Sequence, residues 1–385
     1  MRFFSRIIIG CLLLSFMLPV FNASAQNPAE NTPIWLSISD QNNTGSDPIT
    51  QVGTVIGNSL DVTITFPGFW AEVESKNGEN YTRIWHDEFG SYREPGKPAL
   101  PGKAFNVLVP NGVQVEVVNQ TIRSKTIALS DYTLPSKIMP AQIQAAKSEP
   151  APPWTAPDPK QYRSRDPFPQ AWFELKNTFQ MRDYTIQPIW VNPVRYIAVD
   201  GQIEILEKID LRLTWQECEL GAAMSQLVSD SPSFDQLVSQ IVINPPESTV
   251  FDTKEDTGEG YLIITPDEFA LALTDFVSMK DSQGYDVQVT KLSEIDGLDG
   301  GQGDVLLIQN HIKSFNPLPV YLLLVGDTNL IPAPEGDITK LKTDLYYATL
   351  DEPVNGVPDF VPDIHIGRLP ARSVEDISTM VNKLI

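Results

Sequence analysis

The sequence predicts an all-β domain followed by an α/β domain with a parallel sheet, and three observations predict it. Up to Trp215, apolar residues recur in short runs of period two separated by turn residues. From Tyr261 onward, short apolar runs alternate with segments of helical period. Between the two patterns, Asn244–Gly260 reads NPPESTVFDTKEDTGEG, a Pro-rich, acidic, Gly-ended stretch that marks a linker. The resulting division is 26–246 for the first domain, 247–260 for the linker and 261–385 for the second.

In the first domain, Gly53–Phe66 alternates, with Val62, Ile64 and Phe66 on one face and Asp61, Thr63 and Thr65 on the other. That is a half-buried strand. Similar runs recur at Ala104–Val109, Val113–Val118, Tyr184–Trp190, Arg195–Val199, Gln202–Leu206 and Ile209–Trp215. Pro110-Asn111-Gly112, Asn192-Pro193 and Asp200-Gly201 supply turns between them. A sandwich or barrel follows. Lys147–Pro169 interrupts the pattern with seven prolines, too many for a central strand or a helix interior. It predicts a long surface excursion carrying Lys160, Arg163 and Arg165.

In the second domain, Tyr261–Ile264 is a short apolar strand. Thr265-Pro266-Asp267-Glu268 reads as a capping box with Pro at the first helical position, and Gly284 ends the helix. Asp286–Thr290 is a second strand, and Asp304–Phe315 puts Val305, Ile308, Ile312 and Phe315 on one helical face. The continuous apolar run Val320–Val325 is a strand buried on both faces, stopped by Gly326-Asp327. Asp327 therefore falls at the carboxyl end of a parallel strand, where open α/β sheets bind ligands. Ser373 caps a last helix whose stripe is Val374, Ile377, Val381 and Leu384. With three or four strands and an unfinished amphipathic helix, the α/β domain reads as incomplete and the chain as a fragment.

The amino terminus reads as an export signal. Arg2 and Arg6 precede the apolar Ile7–Phe21, and Ala23-Ser24-Ala25 is a cleavage pattern, placing the cut after Ala25. The protein is expected to be secreted, with no later run of membrane-spanning length. The chain carries 28 basic and 49 acidic residues, a formal net charge of −21, which argues against nucleic acid or an anionic membrane as partner. Once the signal is removed, Cys218 is the remaining cysteine, so an intrachain disulfide is excluded and stability must come from packing.

Taken together, YLIIT at Tyr261–Thr265, YLLLVGDTNLIP at Tyr321–Pro332, TDLYY at Thr343–Tyr347 and PDIHIGRLPARSVEDI at Pro362–Ile377 resemble the start of a gingipain-type cysteine peptidase, family C25 of clan CD. NPVRYIAVDGQIEILEKIDLRLTW at Asn192–Trp215 resembles the β-sandwich propeptide of the same family. The resemblance implies a β-sandwich propeptide domain followed by a caspase-like α/β domain with flanking helices. The propeptide is expected to pack on its own catalytic domain, and the substrates to be proteins or peptides. It also implies a Cys/His dyad, in which a thiolate attacks the peptide carbonyl and an imidazole protonates the leaving amine. The Gly-His-Gly type segment and the following Cys are absent here, so the dyad is expected beyond Ile385 and the fragment itself to be inactive.

The remaining candidates are weaker. Cys218 sits between Glu217 and Glu219, which raise a thiol pKa and suppress the nucleophile. His311 reads as a core-margin residue, His365 as packed and hydrogen-bonded within a strand, and His86 has no recognisable partner. Asp327 is either an active-site rim residue or an Asx-turn residue. Asp344 is either a rim residue or a partner of Arg368. Asp351, Glu352, Asn355, Asp359 and Asp363 are dense hard-oxygen ligands that suit calcium but fit no EF-hand spacing. No cofactor is required, and phosphate-binding Gly-rich motifs are missing. If the enzyme processes itself after basic residues, Lys254 is the expected activation site; Arg163 or Arg165 would offer a second cut or would block the cleft. The rival reading is a non-catalytic exported surface or secretion-system protein that reuses the fold.

Overall fold

Antiparallel strands build the first domain of the computed structural model, which describes residues 32–38, 44–92, 94–144, 150–217, 231–246, 258–301, 303–336, 341–351 and 359–385. The strands are β1 (Ile34–Ser37), β2 (Ile49–Val52), β3 (Ser59–Thr65), β4 (Gly68–Lys76), β5 (Glu79–Trp85), β6 (Gly90–Ser91), β7 (Pro101–Val109), β8 (Val113–Ala128), β9 (Phe173–Leu175), β10 (Phe179–Met181), β11 (Tyr184–Val191), β12 (Val194–Ile197) and β13 (Gln202–Glu217). They form three sheets: β1-β4-β5; β10-β11-β7-β6 with β9 on β11; and β12-β13-β3-β2 with β8 on β13. The inward residues of all three share one core, into which β3 sends Leu60, Val62 and Ile64 while Asp61 stays exposed.

Three features differ from the sequence prediction. The runs Gln202–Leu206 and Ile209–Trp215 are one strand, β13, which pairs with β8 along its length and absorbs register shifts at Leu206/Lys208 and Arg212/Leu213. A bulge of this kind breaks the period without ending the strand. Secondly, β4 and β5 form a hairpin through Asn77-Gly78, with φ of 51° and 80°. Asn-Gly is the strongest short hairpin signal, so this hairpin was legible in the sequence. Finally, the domain ends in a helix, α1 (Pro232–Ile241), capped by Ser231 and tied to β7 by Asn106 Nδ2 donating to Ile241 O at 3.1 Å.

The second domain is a four-stranded, all-parallel sheet in the order β15-β14-β16-β17, from β14 (Gly260–Thr265), β15 (Asp286–Lys291), β16 (Tyr321–Val325) and β17 (His365–Leu369). Both faces are covered, which is why residues 262–264 of β14 and 322–325 of β16 are continuous apolar runs. Leu262, Ile264, Leu322 and Leu324 pack on one face with Val305, Ile308 and Ile312 of α3 (Asp304–Lys313). Ile263, Leu323 and Val325 pack on the other with Phe276 of α2 (Thr274–Ser282) and with Ile377 and Val381 of α4 (Val374–Leu384). Each such side chain, fully buried, contributes about 1.5–3 kcal/mol. Ser373 caps α4 by accepting Asp376 N–H, as its sequence predicts. The capping box at Thr265 does not form. Residues Asp267–Leu273 are a 3-10 helix without a side-chain cap, and the Asp267 carboxylate accepts from Ser293 instead.

Pro33–Ile385 form one compact unit. A separate apolar cluster joins its halves: Met181, Ile186, Phe234, Val238 and Val242 from the first domain meet Val320 from the second. Among the described residues no helix is long and apolar enough to cross a membrane.

Candidate functional site

The carboxyl end of the parallel sheet is organised by one guanidinium. Arg368, on β17, donates from Nε and Nη2 to the two carboxylate oxygens of Asp344 at 2.8 and 2.7 Å. Its Nη1 donates to Gly326 O at 2.7 Å and Ile331 O at 3.0 Å. Side-chain exposure is 9% for Arg368 and 24% for Asp344, so this fork is largely shielded from solvent. The segments PDIHIGRLP, VGDTNLIP and TDLYY, successive in sequence, thus meet at a single side chain. Tyr347 of TDLYY also donates its hydroxyl to Pro332 O at 2.5 Å. Of its two alternatives, Asp344 takes the Arg368 pairing.

Gly326 lets β16 turn sharply here. Its φ is +141°, where an added side chain is strained, and its Cβ would lie a tight 3.3 Å from Leu330 Cβ, so glycine is favoured on both grounds. The next residue, Asp327, is also engaged. Its Oδ1 accepts Thr328 N–H at 2.7 Å and its Oδ2 accepts Arg372 Nε at 2.6 Å. The Arg372 hydrogen bond, then that of Thr328, holds the Asp327 carboxyl below the usual range. Both carboxylates therefore accept hydrogen bonds from arginines. This end of the sheet is a scaffold that fixes strand ends and loops.

The histidines have structural surroundings. His311 Nε2 lies 3.3 Å from Thr290 Oγ1, its ring is edge-on to Phe315, and burial pushes its pKa down. His86, which lacks a recognisable partner in the sequence, has two: Nε2 lies 3.1 Å from Ser46 O and Nδ1 accepts Glu88 N–H at 3.2 Å. Phe69 and Phe89 pack edge-on around it. His365 is packed as expected, with one ring nitrogen lacking a hydrogen bond. Its Nε2 is buried with no hydrogen-bond partner, while its ring stacks between Phe234 at 4.3 Å and Tyr321 at 5.1 Å. Burial lowers its pKa and favours the neutral ring.

Of the five oxygen-ligand candidates, the structure brings together Asp351, Asp359 and Asp363, whose ligand atoms all lie within 4.8 Å of one another. Burial and then repulsion from Asp359 push Asp351 up to about 6. Asp363 is pushed up to about 7 by burial and by Asp351. One oxygen of Asp359 is buried without a hydrogen-bond partner. Three crowded carboxylates that resist ionisation suit a hard divalent cation. Glu352 and Asn355 lie outside the described residues, as do Cys218, Lys254 and Ala25.

The proline-rich excursion is fastened to its own domain. Tyr162 donates its hydroxyl to Ile138 O at 2.8 Å and packs edge-on against Tyr196, and Lys97 pairs with Asp158. Lys160, Arg163 and Arg165 are exposed; Arg165 faces Asp200 at 3.9 Å. An open cavity of 1180 Å³ beside it is lined by first-domain residues, among them Lys97, Lys160 and Trp190.

Two family models match consecutive stretches of the chain: Propeptide_C25 over residues 54–234 and Peptidase family C25 over residues 254–385. Lys-gingipain HG66 of Porphyromonas gingivalis is similar, 26% identical over 297 residues, covering 76% of this chain and 17% of its own length. Gingipain R2 of Porphyromonas gingivalis, strain ATCC BAA-308 / W83, is 26% identical over 299 residues, covering 76% of this chain and 38% of its own. The chain thus spans well under half the length of these relatives. A solved structure addressing the zymogenic latency of gingipain K from Porphyromonas gingivalis aligns with 49% of this chain and 100% of its own, at 20% identity and a TM-score of 0.41. The complex of Porphyromonas gingivalis RgpB pro- and mature domains aligns with 51% of this chain and 98% of the matched chain, at 16% identity and a TM-score of 0.40.

Proposed function

The chain belongs to peptidase family C25, and from that premise we propose that it is the propeptide and scaffold portion of a secreted, gingipain-like cysteine endopeptidase made as a zymogen. The observation that carries this reading is the meeting of Gly326, Asp344 and Arg368, which gives the motif segments a common task at the strand ends where this fold binds ligands. The hydrolytic groups are a Cys/His dyad supplied by sequence after Ile385, and the substrates are peptide bonds in proteins or peptides. Export uses the amino-terminal signal, cut after Ala25. Activation cuts after Lys254, in the segment between the domains. Asp351, Asp359 and Asp363 hold a calcium ion that offsets their mutual repulsion.

Two measurements test the reading. Reading the transcript past Ile385 is expected to show a Gly-His-Gly segment and then a Cys after an apolar strand; a stop codon there removes the peptidase. Amino-terminal sequencing of the activated full-length protein is expected to begin at Glu255. Another start removes the Lys254 site and leaves the peptidase standing.

A further inference from the structure

At the amino ends of the parallel strands, opposite the Arg368 site, the first domain grips the second. The strands β10 and β11 are joined by the two residues Arg182-Asp183. Arg182 has φ of +54°, the left-handed region, at a turn position that hairpins usually give to glycine. Such a conformation costs a bulky residue about 1–2 kcal/mol and persists where surrounding contacts hold it. Those contacts come from the second domain. Arg182 N–H donates to Asp363 Oδ1 at 2.9 Å, and Nη1 donates to Asp363 O at 3.0 Å and Pro319 O at 3.3 Å. Asp363 Oδ2 accepts Leu350 N–H, so this carboxylate is satisfied from both domains.

The same guanidinium lies 5.0 Å from the Phe234 ring of α1. Phe234 stacks on His365, His365 on Tyr321, and Tyr321 on Tyr261 at 5.6 Å. Tyr261, Tyr321 and His365 are register partners on β14, β16 and β17, so the ladder runs along one rung of the sheet and the first domain covers its end. Glu259, just before β14, accepts from Ser231 Oγ at 2.6 Å and from Ser233 N–H at 3.1 Å at the start of α1. Arg182, Glu259 and Asp363 are 2%, 4% and 1% exposed. Desolvation pulls the Arg182 guanidinium below its ordinary pKa, and Asp183 of its own turn together with Asp363 and Glu259 across the contact oppose that shift.

We propose that Arg182 is the residue that keys the first domain onto the amino-end face bearing Glu259, Pro319 and Asp363. Among the described residues the first-domain side of this contact precedes residue 247 and the second-domain side follows residue 257, so a cut in the linker leaves these bonds whole. The inference rests on reading the first domain as a propeptide, but its test needs no catalysis.

A recognition sequence for a specific endopeptidase, placed within residues 247–257 of the full chain, allows a single cut. The two pieces of the parent protein are expected to co-elute on size exclusion. Arg182→Met is expected to weaken their association by about a hundredfold, because the buried cation facing Asp363 and Glu259 is lost together with its two carbonyl bonds. The added Glu259→Gln is expected to recover about tenfold of that loss, because one of the two carboxyl groups that faced the cation is then replaced by a neutral amide. Arg182→Gly relieves the backbone strain, so it is expected to leave the first domain folded by circular dichroism while releasing the partner piece. Co-elution of the Met and Gly variants with unchanged affinity, additive effects of the Met and Gln changes, or separation of the parent pieces on cutting would each overturn the proposal.

Discussion

Each end of the parallel sheet is organised around one arginine, and the two are held by different means. Arg368 works within its own domain: a fork to Asp344 and two carbonyl bonds, with the carboxylate still 24% exposed. Arg182 works between domains, 2% exposed, from a left-handed turn, and its bonds include two to carbonyls and one from its own backbone to Asp363. A shielded fork at a strand end stabilises a local loop structure. A desolvated cation crossing an interface makes each half depend on the other, because removing one partner leaves an uncompensated charge behind.

Substitutions at the two ends separate these roles. In the intact chain, Arg182→Met is expected to lower unfolding stability by about 3–5 kcal/mol, read as a shift in the urea midpoint. Arg368→Met is expected to cost about 2–3 kcal/mol, the range for lost charge-assisted bonds, while leaving association of the cut pieces unchanged. Weakened association in that variant would erase the distinction. Ser373→Ala, which touches neither arginine, should cost about 1 kcal/mol as a lost helix cap, measured by the same midpoint. The smallest effect is expected from Asp327→Asn, since Arg372 is exposed and pairs in water. Its signature is pH dependence. The folded carboxyl titrates below its ordinary 3.8, so its stabilisation is present above that value and is lost as pH falls through the lower folded value. The Asn variant should show a flatter acid limb in a thermal-midpoint titration; an unchanged limb would mean that the Arg372 pair contributes nothing.

Much of the fold was legible because its signals are local. The continuous run Val320–Val325 announced a strand buried on both faces, and β16 packs into both cores. Ser373 announced a cap and accepts the bond of one. Where signals conflicted, packing won: Thr265 gave up its cap position, and the bulge near Glu207 hid the unity of β13. Val374 and Leu384 belong to the apolar stripe of α4 yet are 45% and 51% exposed, and only Ile377 and Val381 of that stripe are buried.

The candidate site was legible in its residues and less so in its geometry. Asp344 and Arg368 were within reach of sequence reasoning, since a carboxylate and a guanidinium in neighbouring motifs invite pairing. Nothing marked Arg182. It lies in a segment with no motif, its partner Asp363 is 181 residues away, and its one anomaly, a left-handed φ, is a backbone property invisible in residue identity.

Composition, period and turn chemistry act over a few residues, and they were enough to establish the order of domains, most strands and helices, and the resemblance to a peptidase family. Which charges become buried together depends on elements brought close by the whole chain. Burial then sets the worth of each charge: Asp327 pairs with an exposed Arg372, while Arg182, an arginine in an ordinary-looking stretch, becomes the pin between two domains.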